Sequence, residues 1–360
     1  AILDLSQTYP DQYVNGAKYL RRLDAAEASM PKIVDAMARD TEAALEMAHE
    51  ILALQREALM SNPLLDFDQL LLVRRAENLL GLPQNWQGNC SVPKTGYDNE
   101  IALLSPLTRD AALTSIFRPE KGEFVGDVDL HFDADRMLFS MPGSHGRWQI
   151  WEAGVDGSNL RQVTPGIEPD VDNYDACYLP DERIIFDSTR CFQGIPCVGG
   201  GDTVANLYRM DPDGSNIRQL CFDQDHNWNP TVLNNGRVLF TRWEYSDTPH
   251  YFTRILFHMN PDGTNQMEYY GSNSYWPNSI FYARPIPNHP TQVVAIVSGH
   301  HGVPRMGELL LFDPALGRHE ADGVVQRIPG YGQPVEPIIV DELVNNSWPR
   351  FLHPYPLSDK

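Results

Sequence analysis

Residues 208–220 read Tyr-Arg-Met-Asp-Pro-Asp-Gly-Ser-Asn-Ile-Arg-Gln-Leu, and the Asp-Gly-Ser-Asn at their centre recurs at 156–159 and, with Thr for Ser, at 262–265. Asp-Gly supplies the positive backbone angles of a tight hairpin turn, so each copy predicts two strands joined by that turn. Gly157, Gly214 and Gly263 are 57 and 49 residues apart. One four-stranded blade of a β-propeller takes about 40 to 50 residues. The phrase therefore predicts an all-β propeller.

Short β-rich runs separated by Gly, Pro, Asn and Asp continue on both sides of these turns. Aligned on the turns, they predict blades near 67–108, 124–165, 170–221, 225–271 and 277–328, and a sixth that begins at Trp348. A six-bladed-type propeller closes by pairing its first and last strands. We therefore expect a domain over 64–360 that is truncated at its C-terminal end, with the missing strands following Lys360.

The first part of the chain has a different pattern. From Pro31 to about Met60, apolar residues recur at spacings of three and four, which predicts one amphipathic helix with Pro31 in its first turn and Asn62-Pro63 as its stop. Residues 16–28 predict a shorter helix. Residues 1–63 are thus predicted to form an N-terminal α-helical segment.

Composition excludes several classes of protein. The 360 residues carry a formal net charge of −20. Phosphate binding needs clustered Lys and Arg, so a nucleic-acid partner is not expected. No apolar run approaches about 18 residues, so no membrane span is predicted. The acidity is interpreted as a solubility feature, with cation binding or a basic protein partner as alternatives.

Five cysteines cannot all pair internally. The chain has no Cys-x-x-Cys and no Cys-x-x-Cys-His, so neither a zinc ribbon nor a covalent c-type haem is predicted within it. Cys191 and Cys197 flank the loop residues 192–196. They are interpreted as a disulfide-closed loop, as a corner of a metal site or as two unrelated thiols.

Several longer phrases carry a family resemblance. Residues 208–220 resemble the repeats of TolB-type, six-bladed propellers. Gly-Ile-Pro-Cys-Val-Gly-Gly at 194–200, Phe-Asp-Gln-Asp-His-Asn-Trp at 222–228, the stretch 242–254 and Ser-Gly-His-His-Gly at 298–302 resemble the propeller part of the hydrazine synthase alpha subunit and its relatives in planctomycete-type bacteria. The resemblance covers roughly residues 64–360.

The resemblance implies an exported, periplasmic redox protein. In that family, c-type haem domains follow the propeller, and a propeller cysteine helps bind zinc beside a haem; Cys197 is the matching residue, with Cys191 as the alternative. A haem-bearing domain or subunit is the implied partner, and zinc and c-type haem are the implied cofactors, the haem through a domain that this chain lacks. Hydrazine synthesis itself is not carried over, and the substrate is not identified.

Loops that join blades converge on one face of a propeller, where ligands bind. Imidazole and carboxylate groups there suit a transition metal, and Asp247 can orient His250 as a general acid/base pair. The alternative is structural: buried hydrogen bonds for the histidines, and pairing of Arg242 with Glu244 or Asp247. The predicted catalytic residues are Asp247 and His250, and the predicted cofactor-binding residues are His226, His300, His301 and Arg242.

Two functions follow from this pattern. The first is a propeller scaffold of a hydrazine synthase alpha subunit-like exported redox protein, which supports a metal or haem site completed by another domain. The alternative is a binding module for a protein or polysaccharide that performs no chemistry. A Cys-x-x-Cys-His segment beyond Lys360 would favour the first.

Overall fold

The structure is a computed structural model that describes residues 1–107, 111–245 and 254–359. Its contacts divide the chain into two compact units, one formed by Ala1–Leu72 with Leu103–Thr114 and the other by Val73–Ala102 with Ser115–Lys360. The described chain is mostly β, with three α-helices and four sheets. In these residues no helix combines the length and the apolar character that a membrane crossing requires.

The helices are α1 (Ile2–Thr8), α2 (Gly16–Arg39) and α3 (Thr41–Met60). The prediction of a single helix from Pro31 is wrong, because Pro31 lies inside α2 and the chain breaks at Asp40. Asp40 is extended, with φ −148° and ψ 95°, and its Oδ1 accepts the backbone N–H groups of Glu42 and Ala43 at 3.2 Å each. Aspartate is a preferred N-cap, so it starts a new helix where apolar spacing alone reads through.

The described residues form nineteen strands, which follow in chain order. Their bounds are β1 Leu70–Arg74, β2 Glu100–Ser105, β3 Ala112–Phe117, β4 Gly126–Leu130, β5 Arg136–Pro142, β6 Trp148–Gly154, β7 Arg161–Gln162, β8 Asn173–Tyr178, β9 Ile184–Ser188, β10 Asn206–Met210, β11 Arg218–Gln219, β12 Asn227–Val232, β13 Val238–Trp243, β14 Arg254–Met259, β15 Met267–Tyr270, β16 Ser279–Pro285, β17 Val293–Ser298, β18 Glu308–Phe312 and β19 Val324–Ile328.

These strands form four antiparallel repeats, β4–β7, β8–β11, β12–β15 and β16–β19, after a three-stranded sheet β1–β2–β3. One parallel pair, Arg254 with Ser279, joins the last two repeats into an eight-stranded sheet. No sheet closes on itself among the described residues. After Ile328 the described chain is irregular, apart from one bridge between Gly307 and Phe351.

The recurring Asp-Gly phrase forms the predicted turns. Gly157, Gly214 and Gly263 have φ of 82°, 83° and 86°. In each copy the aspartate Oδ1 accepts the backbone N–H two residues later, at 2.9 to 3.0 Å. The side chain therefore stabilises the turn, and no ligand role is needed to explain it.

Alternate residues of the second strands pack against the repeats on either side. Ile184 and Phe186 of β9 share a buried cluster with Leu138 of β5, whereas Ile185 shares one with Val238 and Phe240 of β13. Burying an aliphatic side chain of this size contributes about 2 kcal/mol. The two-residue period of a strand therefore holds successive sheets face to face.

The first strands of the repeats surround a common centre. The Tyr178 N–H donates to Asp129 Oδ2 (3.0 Å), that of Asn229 to Asp175 Oδ2 (3.0 Å), and that of Tyr282 to Asn229 Oδ1 (3.3 Å). The last of the four repeats contacts the first, because Arg284 Nη1 of β16 lies 3.2 Å from Asp129 Oδ1 of β4. Each strand carries a β-bulge with one left-handed residue, at φ 50° to 53°: Asp127, Asp175, Asn229 and Tyr282.

Candidate functional site

The segment 84–91, called the strap below, lies at the N-terminal ends of the central strands. Its Asn89 Nδ2 donates to Asp127 of β4 (2.5 Å), and its Gln87 Nε2 donates to Asp202 (3.0 Å). At Gly88 the strap passes so close to the centre that an added Cβ would lie 2.1 Å from the Tyr174 hydroxyl. The strap therefore closes this end.

Asn85 fixes the strap to the fourth repeat, β16–β19. Its side chain is 1% exposed. Nδ2 donates to Ser298 Oγ (3.0 Å), to the Val303 carbonyl (3.2 Å) and to the Gly299 carbonyl, while Oδ1 accepts the Arg305 N–H at 2.6 Å. The two amide N–H groups are shared among three acceptors and Oδ1 accepts one bond, so this residue determines the position of the strap.

Two buried arginines lie under the strap. Arg254 is fully buried, donates through Nε to the Asn85 carbonyl (2.6 Å) and stacks 4.1 Å from the centroid of Trp243. Arg305 donates through Nη2 to the Gln87 carbonyl (2.5 Å) and lies 4.3 Å from the Phe281 ring. Burial lowers the pKa of Arg254 to about 9. The strapped end thus holds two guanidinium groups away from water, with the buried carboxyl groups of Asp187 and Asp225 near them.

His226 is fully buried next to these arginines. Its ring stacks 4.7 Å from Trp228, and Nδ1 accepts the Ala205 N–H at 3.0 Å. Burial, with the charges of Arg305 and Arg254, lowers the pKa of His226 far below its usual range. A neutral ring that accepts at Nδ1 carries its proton on Nε2, so this geometry favours the structural role over a ligand role.

Cys197 lies near Arg254. The residue is exposed, yet partial burial of its thiol and the charge of Asp225 raise the pKa of Cys197, while Arg254 lowers it. Asp225 is 2% exposed, and its Oδ1 has no hydrogen-bond partner among the described residues. Burial raises the pKa of Asp225 to about 7, with Arg254 opposing and Asp223 and Glu244 adding to the shift.

His300, His301 and Asp341 form the group in the described ranges whose side chains lie close enough together to hold a metal ion. Their ring centroids are 3.9 Å apart, and His301 Nδ1 lies 2.8 Å from Asp341 Oδ2. The His300 N–H donates to the Asp341 carbonyl at 2.9 Å, which holds the two segments together. One ligand atom from each of the three residues lies within 4.8 Å of the others. His300 is buried, while His301 and Asp341 are exposed, so an ion can reach them from solvent.

Arg242 is held by carboxylates. Its Nη2 lies 2.8 Å from Asp223 and its Nε 2.9 Å from Glu244, and its guanidinium covers the Phe257 ring at 4.7 Å. Two ion pairs and an aromatic contact thus occupy the guanidinium group of Arg242. The geometry therefore favours the structural pairing that the sequence offered as the alternative.

The predicted pair Asp247 and His250 lies outside the described residues. All five cysteines are free thiols, so Cys191 and Cys197 do not form a disulfide. Cys191 instead donates from Sγ to the Val204 carbonyl at 3.4 Å. The thiols remain either unrelated or part of a metal site.

The C-terminal ends of the central strands form an open end with a cavity of about 350 Å³. Its floor contains the pair of Asp129 and Arg284, whose Nη1 also donates to Thr231 at 3.3 Å. Burial raises the pKa of Asp129, and Arg284 opposes that shift. The cavity combines aromatic and polar side chains, among them His131, Phe132, Tyr178 and Tyr355.

Sequence reasoning missed Asn85, Arg305 and Asp341. Nothing periodic marks the strap, and the side-chain partners of Asn85 are more than 200 residues away. Asp341 stands beside Glu342 in a stretch without strand pattern, and that acidic pair was the available signal.

No protein-family model and no curated protein matches this chain. Among solved structures, it is similar to Kuenenia stuttgartiensis hydrazine synthase, with 17% identity and a TM-score of 0.56 over 68% of this chain and 37% of that one. TolB from Acinetobacter baumannii has 17% identity and a TM-score of 0.38, covering 60% of this chain and 46% of that one. A Mycobacterium tuberculosis puromycin-hydrolyzing peptidase has 13% identity and a TM-score of 0.45, covering 70% and 36%.

The TM-scores of the last two structures are below 0.5 and do not establish a shared fold. The first supports the fold at that low identity, and the chain spans little more than a third of the hydrazine synthase chain it matches. The resemblance seen in the sequence is thus met by a structural one. The described repeats share the propeller fold found in that part of hydrazine synthase.

Proposed function

We propose that this chain is the propeller scaffold of an exported redox protein, and that its strapped end holds a divalent transition metal ion at His300, His301 and Asp341. The observation that carries the proposal is the approach of three ligand atoms to within 4.8 Å of one another. His301 and Asp341 come from segments 40 residues apart. The backbone hydrogen bond from the His300 N–H to the Asp341 carbonyl joins the two segments.

Two imidazoles and one carboxylate suit zinc or ferrous iron and leave coordination positions open for water or a substrate. Such an ion supplies a Lewis acid when bound. The chain's own part is to orient the ligands: Asn278 Nδ2 donates to the Asp341 carbonyl at 3.2 Å, and Gly299 packs against the same carbonyl. The Cys197 thiol, with its raised pKa, has to lose its proton before it can join a metal.

A haem-bearing domain or subunit is the partner within this proposal. The sequence contains no Cys-x-x-Cys-His, so a covalent c-type haem has to come with that partner. Export belongs to the same proposal and rests on the hydrazine synthase-like sequence phrases.

Metal analysis of the purified chain, with zinc titration by calorimetry, tests the site. We expect one equivalent of tightly bound metal, and a loss of affinity of at least about tenfold in His301→Ala and in Asp341→Asn. His319→Ala, which removes an exposed histidine outside the cluster, is the matched control. Cys197→Ala decides whether the thiol is a fourth ligand.

Equal metal content in the wild type, His301→Ala and Asp341→Asn would contradict the site. Unchanged affinity in Cys197→Ala alone would remove the cysteine and leave the other three ligands in place. A folded wild type that binds no zinc, iron or other first-row ion overturns the metal part of the proposal.

The cavity at the open end favours a second function, a binding module without chemistry. Phe132 and Tyr355 are 61% and 66% exposed at its rim, and Asp129 and Arg284 offer an acceptor and donors at its floor. Exposed rings beside polar groups suit a sugar unit of a polysaccharide. The Tyr355 variant described in the Discussion tests this function.

A further inference from the structure

The helical hairpin of the first compact unit exposes two apolar rows. On α2 the row contains Leu23, Met30 and Met37, and on α3 it contains Leu45, Leu52 and Leu59, each at intervals of seven residues. All six side chains are between 43% and 67% exposed. A seven-residue apolar repeat is typical of a helix that packs against further helices.

Both rows lie on the same side of the hairpin. Every exposed residue directly follows a more buried one on the face that contacts the other helix, as Met37 follows Ala36, Leu45 follows Ala44 and Leu59 follows Ala58. One step along a helix turns by about 100°. In two antiparallel helices, the same turn away from the shared face leads to the same side, so the rows form a single face.

Cross-helix bonds set the levels of this face. Glu57 on α3 contacts Arg22 and lies 3.8 Å from Lys18 on α2, and the Tyr19 hydroxyl lies 2.9 Å from Ser61 Oγ. Leu59 therefore lies near the level of Leu23. Further along the hairpin, Leu52 lies near the level of Met30, and Leu45 lies near the level of Met37. The two rows therefore form three apolar levels.

Charges of opposite sign interrupt the two rows. Glu27 lies between Leu23 and Met30, and Arg56 lies between Leu52 and Leu59, at neighbouring levels. Both side chains are exposed, and neither has an ion pair among the described residues. A face with an acid on one helix and a base on the other is complementary to its own copy.

We propose that this face is a homodimer interface, in which two hairpins form a four-helix bundle about a twofold axis parallel to the helices. In this arrangement α2 of each copy faces α3 of the other at the same level. The three apolar levels meet one another, and Glu27 of each copy faces Arg56 of the other. The perpendicular twofold axis would place α2 against its own copy and set Glu27 opposite Val34, which leaves the charge without a partner.

Sedimentation of the full chain tests the interface. The wild type is expected to have twice the 40.7 kDa mass of one chain, and Leu52→Glu the mass of a single chain. Ala53→Glu, one residue further round α3 and away from the rows, is the matched control and is expected to stay dimeric. Circular dichroism checks that all variants keep their helices.

The charge pair provides a test that does not depend on the leucines. Glu27→Arg and Arg56→Glu are each expected to raise the dimer dissociation constant severalfold, and the double variant is expected to restore it. A monomeric wild type at tens of micromolar overturns the proposal, whether or not the hairpin binds another protein or lipid. A dimer that Leu52→Glu leaves intact overturns it as well.

Discussion

The two ends of the central strands are built from the same repeats and differ in what covers them. At the N-terminal ends the strap buries two arginines, His226 and Asn85 within a network of bonds that spans the sequence from residue 85 to residue 305. At the C-terminal ends the same strands leave a cavity of about 350 Å³ with exposed aromatic rings. Buried hydrogen bonds hold one end together, and the other end contains a cavity. Substitutions at the strapped end should therefore change stability, and substitutions at the open end should change binding.

The largest expected effect comes from Asn85→Ala at the strapped end. The substitution removes four hydrogen bonds and leaves buried partners such as Ser298 Oγ without their donor. We expect the free energy of unfolding to fall by about 3 kcal/mol. Urea unfolding followed by tryptophan fluorescence measures it.

Asn234→Ala is the matched control at the open end. Its amide also donates twice, to the carbonyls of Ile286 and His289 at 2.8 Å, but the residue is exposed and water can replace those bonds. A loss below about 1 kcal/mol is expected. Equal losses of unfolding free energy in the two variants would mean that the two ends do not differ in their contribution to stability.

A smaller effect, dependent on pH, is expected from Asp225→Asn. The folded pKa of Asp225 is raised to about 7, above the value of about 3.9 for a free aspartate, so the unfolded chain ionises first as the pH rises. Its contribution to stability therefore falls between about pH 4 and pH 7 and stays low above that. At pH 8 the free energy of unfolding of Asp225→Asn should exceed that of the wild type by at least about 1 kcal/mol, and at pH 4 it should not.

Asp170→Asn, at an exposed aspartate, serves as the control for this measurement. It should leave the pH profile of the wild type unchanged. A profile for Asp225→Asn that runs parallel to the wild type from pH 4 to pH 8 would show that Asp225 is ionised at the strapped end and stabilised there by Arg254.

The smallest effect on stability is expected from Tyr355→Ala at the open end. The ring is 66% exposed, so the free energy of unfolding should change by less than about 0.5 kcal/mol. If the cavity binds a sugar unit, the same variant should weaken binding of soluble polysaccharide about tenfold in calorimetry, because a stacking surface is lost. Tyr331→Ala, at a tyrosine that is 90% exposed and outside the cavity, is the control. Absence of binding by the wild type would rule out this second function for the ligands tried.

The strands were predictable because their signals are local. The strands Arg254–Met259, Asn206–Met210 and Glu308–Phe312 are short β-rich runs that lie inside the predicted blades. The helical segment was half predicted: apolar spacing indicated helix, but it could not show that Asp40 would cap a new helix instead of continuing the old one.

The candidate site was predictable only in outline. The turn register assigned the segments of Cys197, His226 and His300 to one face, and Arg254 lies close enough to Cys197 and His226 to shift the pKa of both. The surroundings of each histidine were not predictable. His226 and His301 look alike in sequence, yet one accepts a backbone N–H in a buried stack and the other contacts a carboxylate in solvent.

The sequence by itself determined the repeat, since Asp-Gly turns and two-residue alternation act over a few neighbouring residues and need no distant partner. Only the tertiary structure decided which end of the central strands is closed and where the side chains of His300, His301 and Asp341 meet. Asn85 and Ser298 are 213 residues apart, and Asp341 reaches His301 from a segment without regular structure. Such contacts depend on how the repeats pack around a common centre, and no local pattern records that packing.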